Sequence, residues 1–251
     1  MNQSHGQPAY AVRFEWGPTG ARAIAAGADV AVVVDVLSFT TTLSVAVERG
    51  IEVLPFAWKD ERAAAYAAER DAVLAVGRFE ARDVDGPAVS LSPAHLARVS
   101  GVQRIVLPSP NGSSICAALA EGGAAVVGAC LRNRSTVARH VAGAGTIAVV
   151  AAGERWPDGS LRPGVEDLWG AGAVLAALVD LGVTDLSPEA RVAEAAYLGV
   201  EEDVASQVLG CASGRELVEA GFLDDVGIAS EVDVTGVVPV LAGDGVFRAA
   251  D

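Results

Sequence analysis

The sequence predicts an α/β fold with a mostly parallel or mixed sheet flanked by helices. Short runs rich in β-branched residues alternate with alanine-rich helical stretches, which is typical of successive βαβ units. Several runs are continuously apolar, as expected of strands that helices cover on both faces. The chain of 251 residues is long enough to bury a substantial core without a disulfide or a metal ion to stabilise it.

The first 160 residues contain most of this alternation. Strands are predicted over residues 10–16, 30–37, 51–56, 73–76, 104–107, 125–129 and 147–151. Helices are predicted between them, over residues 41–49, 60–70, 93–99, 114–121 and 135–141. This part is interpreted as an α/β sheet subdomain, residues 1–160.

The pattern changes after residue 160. Helices are predicted over residues 166–181, 188–198, 204–209 and 215–220, and a strand pair over 237–241 and 246–248. The pair is joined by Gly243-Asp244-Gly245, residues that tolerate the positive φ of a hairpin turn. Residues 161–251 are therefore interpreted as a helix-rich second subdomain that closes with a short strand pair.

Composition excludes several classes of protein. The net charge of −14 repels phosphate backbones, which argues against a nucleic-acid partner. The longest uncharged run, residues 105–120, is too short and too rich in proline to span a bilayer, and no signal peptide is visible. The cysteines, Cys116, Cys130 and Cys211, form no CxxC pair, which indicates buried thiols in a reducing compartment. We expect a soluble, cytoplasmic protein without a membrane partner.

The strongest local signal lies at the end of the second predicted strand. Asp35 follows a buried apolar run, and Thr40 and Thr41 stand where a helix is predicted to begin. Ligands of open α/β sheets bind beyond the carboxyl ends of strands, helix N-termini suit phosphate, and a carboxylate suits Mg²⁺. The alternative is structural: Thr40 caps the helix and Asp35 ends the strand by chance.

A second turn of the same kind follows residues 104–107. Asn111, Gly112 and Ser113 offer exposed N–H groups and a hydroxyl at a predicted helix start. Alone, this is an ordinary capped turn, but two such turns in one sheet could face one ligand.

A third cluster combines Glu154 and Arg155 with Glu166 and Asp167. Acidic residues in the first turn of a helix stabilise its dipole, which is the structural alternative. Adjacent carboxylates can also share a divalent metal, or one can act as a general base. The acidic pair Asp224-Asp225 is expected to end a helix in a solvated loop, with a further metal ligand as the alternative.

These motifs, in this order, resemble the 2-phosphosulfolactate phosphatase family. The resemblance covers residues 30–241 and rests on short segments. They are Asp35-Val36-Leu37 with Thr40-Thr41-Thr42, Asn111-Gly112-Ser113, Glu166-Asp167-Leu168, Ser213-Gly214-Arg215, Asp224-Asp225 and Val237-Val238-Pro239. It implies two α/β parts with the site between them, and a magnesium-dependent hydrolysis of 2-phosphosulfolactate within coenzyme M biosynthesis.

The sequence departs from the family pattern at four places, one of which is a longer insertion at residues 156–165 before the acidic helix start. Ser38 stands where the family usually has an arginine. Gly77-Arg78-Phe79-Glu80 replaces a Gly-Glu-Arg segment, and the stretch around Ser90 lacks an aspartate and an asparagine. These changes could remove a phosphate or sulfonate contact.

The expected site follows from the motifs and the resemblance together. Asp35, Glu166 and Asp167 are predicted to hold Mg²⁺ and to act in catalysis. The residues predicted to bind the small phosphorylated anionic substrate are Thr40, Thr41, Asn111, Gly112, Ser113, Arg155 and Arg78. A noncatalytic relative that binds a small anion is the alternative, and a purely structural subunit is a third. The sequence leaves the oligomeric state open, with a homodimer as one option.

Overall fold

A computed structural model describes residues 2–57, 61–78, 80–82 and 89–250. The strands are β1 Val12–Trp16, β2 Val30–Val34, β3 Glu52–Phe56, β4 Val73–Leu74, β5 Arg104–Pro108, β6 Ala125–Ala129, β7 Ile147–Ala151, β8 Glu154–Arg155, β9 Leu161–Arg162, β10 Pro239–Leu241 and β11 Phe247–Ala249. The helices are α1 Gly17–Ile24, α2 Phe39–Glu48, α3 Glu61–Glu69, α4 Pro93–Leu96, α5 Gly112–Ala120, α6 Arg134–Val141, α7 Val165–Asp180, α8 Pro188–Leu198, α9 Val204–Gly210, α10 Ala212–Glu219 and α11 Leu223–Ala229. The predicted α/β fold is confirmed.

One mixed sheet organises the molecule. Its strand order is β1-β7-β2-β6-β10-β11-β3-β5-β4. Strands β1, β7, β2 and β6 are mutually parallel, as are β3, β5 and β4. The hairpin β10–β11 joins the two groups through three antiparallel pairings, so the second group runs opposite to the first.

The continuously apolar strands are buried on both faces, as predicted. In β2, Val32 and Val34 belong to one hydrophobic cluster, which α6, α7 and α8 complete. Ala31 and Val33 point to the opposite face and belong to a second cluster with helices α2 and α5. Because this second cluster also contains Leu107 of β5, both groups of strands pack against the same two helices. Residues directly after β2 and shortly after β5 are hydrogen-bonded to each other, so the carboxyl ends of these two strands lie close together.

The division into residues 1–160 and 161–251 stays a prediction, but the position of the closing hairpin bears on it. Both strands of the hairpin pair with strands of the first part, β10 with β6 and β11 with β3. The hairpin therefore lies in the centre of the main sheet and does not belong to a separate sheet of the second part.

One structural expectation is wrong. Asp224-Asp225 does not end a helix in a solvated loop, because both residues lie in the first turn of α11 and Asp225 is buried. Asp60, predicted to lie in a helix, and Phe79 and Ala88, from two divergent segments, lie outside the described residues.

Two further expectations concern thiols and membranes. All three cysteines are free and buried, as predicted. In the described part of the chain, every helix is too short or too polar to cross a membrane.

Candidate active site

Asp35 joins the two strand-to-helix turns. It comes directly after β2, and its side chain is 5% exposed. Its Oδ1 accepts a hydrogen bond from the Phe39 N–H at 2.9 Å, at the start of α2. Its Oδ2 accepts one from the Gly112 N–H at 3.0 Å, at the start of α5. The structure therefore brings together two motifs that lie 77 residues apart in the sequence.

Asp167 makes a similar connection on the other side of β2. It is buried in the first turn of α7, and its Oδ1 accepts a hydrogen bond from the Val36 N–H at 2.7 Å. Its Oδ2 accepts one from the Gly153 N–H at 2.8 Å, in the turn that follows β7. Glu166 beside it is also buried and receives a weak hydrogen bond from the Cys211 thiol at 3.4 Å.

The carboxyl groups of this region repel one another. Burial raises the pKa of Asp35, and burial together with the charges of Asp35 and Glu166 raises the pKa of Asp167 well above its usual value. Burial and the same two charges raise the pKa of Glu154 to about 7. Bound cations or protons would therefore stabilise this set of side chains, which we call the acidic cluster: Asp35, Glu154, Glu166 and Asp167.

Two arginines act on the acidic cluster from different segments. Arg78 lowers the pKa of Asp35 by its charge, and a terminal nitrogen of its guanidinium donates to the Ser38 hydroxyl. Arg162 lowers the pKa of Glu154 and donates to the Ser213 hydroxyl at 3.0 Å. Arg78 was predicted from the sequence as a site residue. Arg162 was not, because it lies near Glu154 through the pairing of β8 with β9, which no local pattern indicated.

The predicted hydroxyl ligands stabilise the turns themselves. The Thr40 hydroxyl accepts from the Asp35 N–H and donates to the Asp35 carbonyl oxygen, both at 2.8 Å. Thr41 donates to the carbonyl of Val36 at 2.8 Å, and Ser113 donates to the carbonyl of Leu107 at 2.6 Å. These bonds fix the loops that shape the site, and a direct contact with phosphate stays a prediction for all three side chains.

A cavity of about 210 Å³ opens beside the acidic cluster. Asn111, Glu154 and Arg155 line it, and the Asn111 side-chain amide donates to the Glu154 carboxylate at 2.9 Å. Asp35, Glu166 and Asp167 are not among its lining residues, so Glu154 and Asn111 connect the cavity to the deeper carboxylates. Arg155 is exposed at this rim and donates to the carbonyl of Pro110 at 2.9 Å.

The acidic cluster lacks the geometry of a preformed metal cage. Among the described residues, no group of three or more histidine, cysteine, aspartate or glutamate side chains could hold a metal ion as it stands. The donors present are carboxylate oxygens, which hard cations such as Mg²⁺ prefer. The predicted assignment of Asp35, Glu166 and Asp167 as metal ligands stays a prediction.

The fold and the site define an α/β protein with a buried acidic cluster, flanked by arginines, where two strands end. A family model described as 2-phosphosulpholactate phosphatase matches residues 21–244. The chain belongs to this family, and the resemblance drawn from its motifs is confirmed.

Several curated relatives are similar over most of their length. A protein of Deinococcus radiodurans is 31% identical over 217 residues, which cover 85% of this chain and 88% of the relative. One of Parasynechococcus marenigrum is 32% identical over 231 residues, covering 89% and 93%. One of Thermus thermophilus is 31% identical over 222 residues, covering 86% and 89%. Each is named a probable 2-phosphosulfolactate phosphatase.

Proposed function

We propose that this protein is a magnesium-dependent phosphatase that hydrolyses a small acidic phosphomonoester. One observation carries the proposal: the buried Asp35 carboxylate accepts hydrogen bonds from N–H groups of two strand-to-helix turns. The same carboxylate lies within electrostatic reach of Arg78 and of the other carboxyl groups of the acidic cluster. The names of the relatives support 2-phosphosulfolactate as the substrate, with sulfolactate and phosphate as products. A place in coenzyme M biosynthesis and a cytoplasmic location rest on the family resemblance and the composition.

The chain's donor set fits Mg²⁺. This cation commonly binds through one or two carboxylates, completed by water and substrate phosphate, so a preformed cage of three side chains is not required. A carboxylate oxygen that accepts one N–H group keeps a second acceptor direction, as at Oδ2 of Asp35 and Oδ1 of Asp167. Glu166 supplies a further buried carboxylate. The chemistry that a cation held there would supply is neutralisation of the charge that develops on the phosphoryl oxygens.

The residues of the chain bind and orient the reactants. The Arg78 guanidinium pairs with the phosphate, while Arg155 and Asn111 contact the substrate at the cavity rim. One carboxylate among Asp35, Glu166 and Asp167 takes a proton from the attacking water while the bond between phosphorus and the ester oxygen breaks, and the leaving group departs as the alcohol. In the alternative, the carboxylate attacks phosphorus itself, the same bond breaks, and water then hydrolyses the acyl phosphate. Direct attack by Asp35 is the weaker variant, because aspartyl-phosphate phosphatases use a second aspartate two residues later, where this chain has Leu37.

The test is phosphate release from a panel of phosphomonoesters, including 2-phosphosulfolactate, in Mg²⁺ and in EDTA. We expect turnover that requires Mg²⁺ and that Asp35→Asn abolishes while the circular dichroism spectrum is unchanged. Asp224→Asn is the matched control, because its side chain is 69% exposed. Full activity of Asp35→Asn would reject the role of Asp35, and turnover that survives EDTA would reject the role of the metal.

A noncatalytic anion-binding protein is the second candidate, and Ser38 favours it. The family usually has an arginine at this position, so one positive charge is absent from the turn that holds Asp35. The same panel separates the two functions. Stabilisation of the folded protein by a phosphomonoester without phosphate release would support the binding protein.

A further inference from the structure

Asp225 is a buried carboxylate with both oxygens occupied. It is 1% exposed in the first turn of α11. Its Oδ2 accepts a hydrogen bond from Nε of Arg78 at 2.6 Å, across 147 residues of sequence. Its Oδ1 accepts from the Ser92 hydroxyl at 2.5 Å and from the Ala94 N–H at 3.1 Å, at the start of α4. The carboxylate is therefore held in a single orientation by two segments of the chain.

Arg78 connects this anchored carboxylate to the acidic cluster. Its side chain is 10% exposed, and one terminal nitrogen donates to the Ser38 hydroxyl, in the turn that also holds Asp35. A guanidinium is planar, and its N–H groups point in fixed directions. The bond between Nε and Asp225 therefore determines where the terminal nitrogens of Arg78 point.

We propose that Asp225 is a positioning residue that directs the terminal nitrogens of Arg78 at the substrate phosphate beside Ser38. This inference rests on the proposed function, in which Arg78 is a phosphate ligand. Removal of Asp225 would leave a buried cation without its partner, and the Asp35 carboxylate lies within electrostatic reach of that cation. Asp225 thus keeps Arg78 apart from Asp35 and available to an incoming anion.

The position of α11 explains how Asp225 reaches the site. The helix packs against α4, whose N-cap residue Ser92 and first-turn residue Ala94 supply the other two donors to the carboxylate. The neighbouring Asp224 is 69% exposed and pairs with Arg98, itself 76% exposed. The two adjacent aspartates therefore have different environments, and Asp224→Asn is a matched control for Asp225→Asn.

The first experiment measures binding of inorganic phosphate by titration calorimetry, and kcat and KM for phosphate release. We expect Asp225→Asn to raise the dissociation constant of phosphate and KM by roughly 10- to 100-fold, as small misplacements of a binding group do, with a smaller change in kcat. Asp224→Asn should leave both constants within about twofold of the wild type, as a surface change away from the site does. An unchanged phosphate affinity in Asp225→Asn would overturn the proposal.

A second pair of variants separates positioning from general stabilisation. Arg78→Lys keeps the positive charge but lacks the planar fork, so it should weaken phosphate binding as Asp225→Asn does. In an Arg78→Ala background, Asp225→Asn should weaken binding by less than about twofold further, because its effect passes through Arg78. Full additivity in the double variant would overturn the proposal. Wild-type affinity in Arg78→Lys would overturn it even if Asp225→Asn itself failed to fold.

The outcomes distinguish this inference from the proposed function. If the wild type binds phosphate but hydrolyses no ester, and Asp225→Asn still weakens binding, the phosphatase proposal fails and the positioning role stands. If the wild type is an active phosphatase and Asp225→Asn has normal phosphate affinity and KM, only the positioning role fails. A wild type that neither binds phosphate nor releases it from any ester overturns both.

Discussion

Gly112 lies where α5 begins, in contact with the carboxylate of Asp35. A Cβ atom added at this position would meet the Phe39 ring most closely, at Cδ1, and would stand 2.7 Å from Oδ2 of Asp35 and 2.8 Å from Cγ of Phe39. Ordinary van der Waals contacts begin at 3.4 Å, so the carboxylate oxygen or the helix start must move by about 0.7 Å. The Gly112→Ala variant therefore displaces the central carboxylate of the site without changing any charge.

Neither neighbour of Gly112 can move freely. Phe39 is fully buried, and Oδ1 of Asp35 is bound to the Phe39 N–H. Overpacking of this kind costs about 1–3 kcal/mol of stability, which is a few degrees in Tm for a chain of this size. The effect on catalysis is larger, because a displacement approaching 1 Å can lower activity by about 100-fold.

The assay for Gly112→Ala is kcat/KM for phosphate release, with Tm measured in parallel. We expect kcat/KM to fall by roughly 10- to 100-fold while the protein remains folded at 25 °C. Gly210→Ala, at the end of α9, is the control, since an added Cβ there has no atom within 4 Å. Wild-type activity in Gly112→Ala would refute the reasoning that the Asp35–Gly112 contact fixes the reactive geometry.

Three further predictions concern pH, a second glycine and the thiols. The pKa of Glu154 is raised from 4.5 to about 7, so the folded state keeps a proton that the unfolded state releases, and stability falls as the pH rises through this window. In EDTA, the stability of Glu154→Gln relative to the wild type should therefore increase between pH 4.5 and pH 7, by at most roughly 3 kcal/mol. The measurement is denaturant unfolding at several pH values, and a stability difference that does not change with pH would contradict this prediction. Gly27→Ala should lose about 1–2 kcal/mol of stability because its φ is positive, and Gly153→Ala should lose more, because its φ is also positive and its added Cβ lacks space. Only Gly153→Ala should also lose activity, because the Gly153 N–H donates to the Asp167 carboxylate and the added Cβ would stand 2.8 Å from Leu161. Equal activity of the two variants would count against this. A thiol reagent should label the native protein slowly and all three cysteines after denaturation, because every thiol is buried; fast native labelling would argue otherwise.

The site was predictable where one local pattern contained the signal. An apolar strand, a polar turn and a helix start occur together at Asp35 and again at Asn111-Gly112, and the structure joins the two turns through one carboxylate. The acidic helix start at Asp167 was visible in the same way. Its connections to Val36 and Gly153 were not, because they link residues whose proximity depends on the order of strands β2 and β7.

Other features depended on distant partners. Asp225 follows another aspartate, with Gly221 four residues before it, a pattern that favours a solvated turn. Its burial is explained by partners that are distant in the sequence: Arg78, 147 residues away, and Ser92 and Ala94, which donate to its other oxygen. The central position of the β10–β11 hairpin also required pairing with β6 and β3, which no local pattern specifies. Helix α1 was missed although a proline occupies its first turn, a recognisable sign of a helix start.

The central hairpin has a consequence for how the chain is assembled. Residues 239–249 leave the ribosome after every other strand of the sheet, yet they connect its two parallel groups. Until the hairpin is synthesised, the edge strands β6 and β3 have no partner on one side. Unpaired strand edges can pair with strands of other chains. We therefore expect nascent chains stalled before residue 239 to be prone to aggregation, and completion of the sheet to be a late, slow step, because its contacts span most of the sequence.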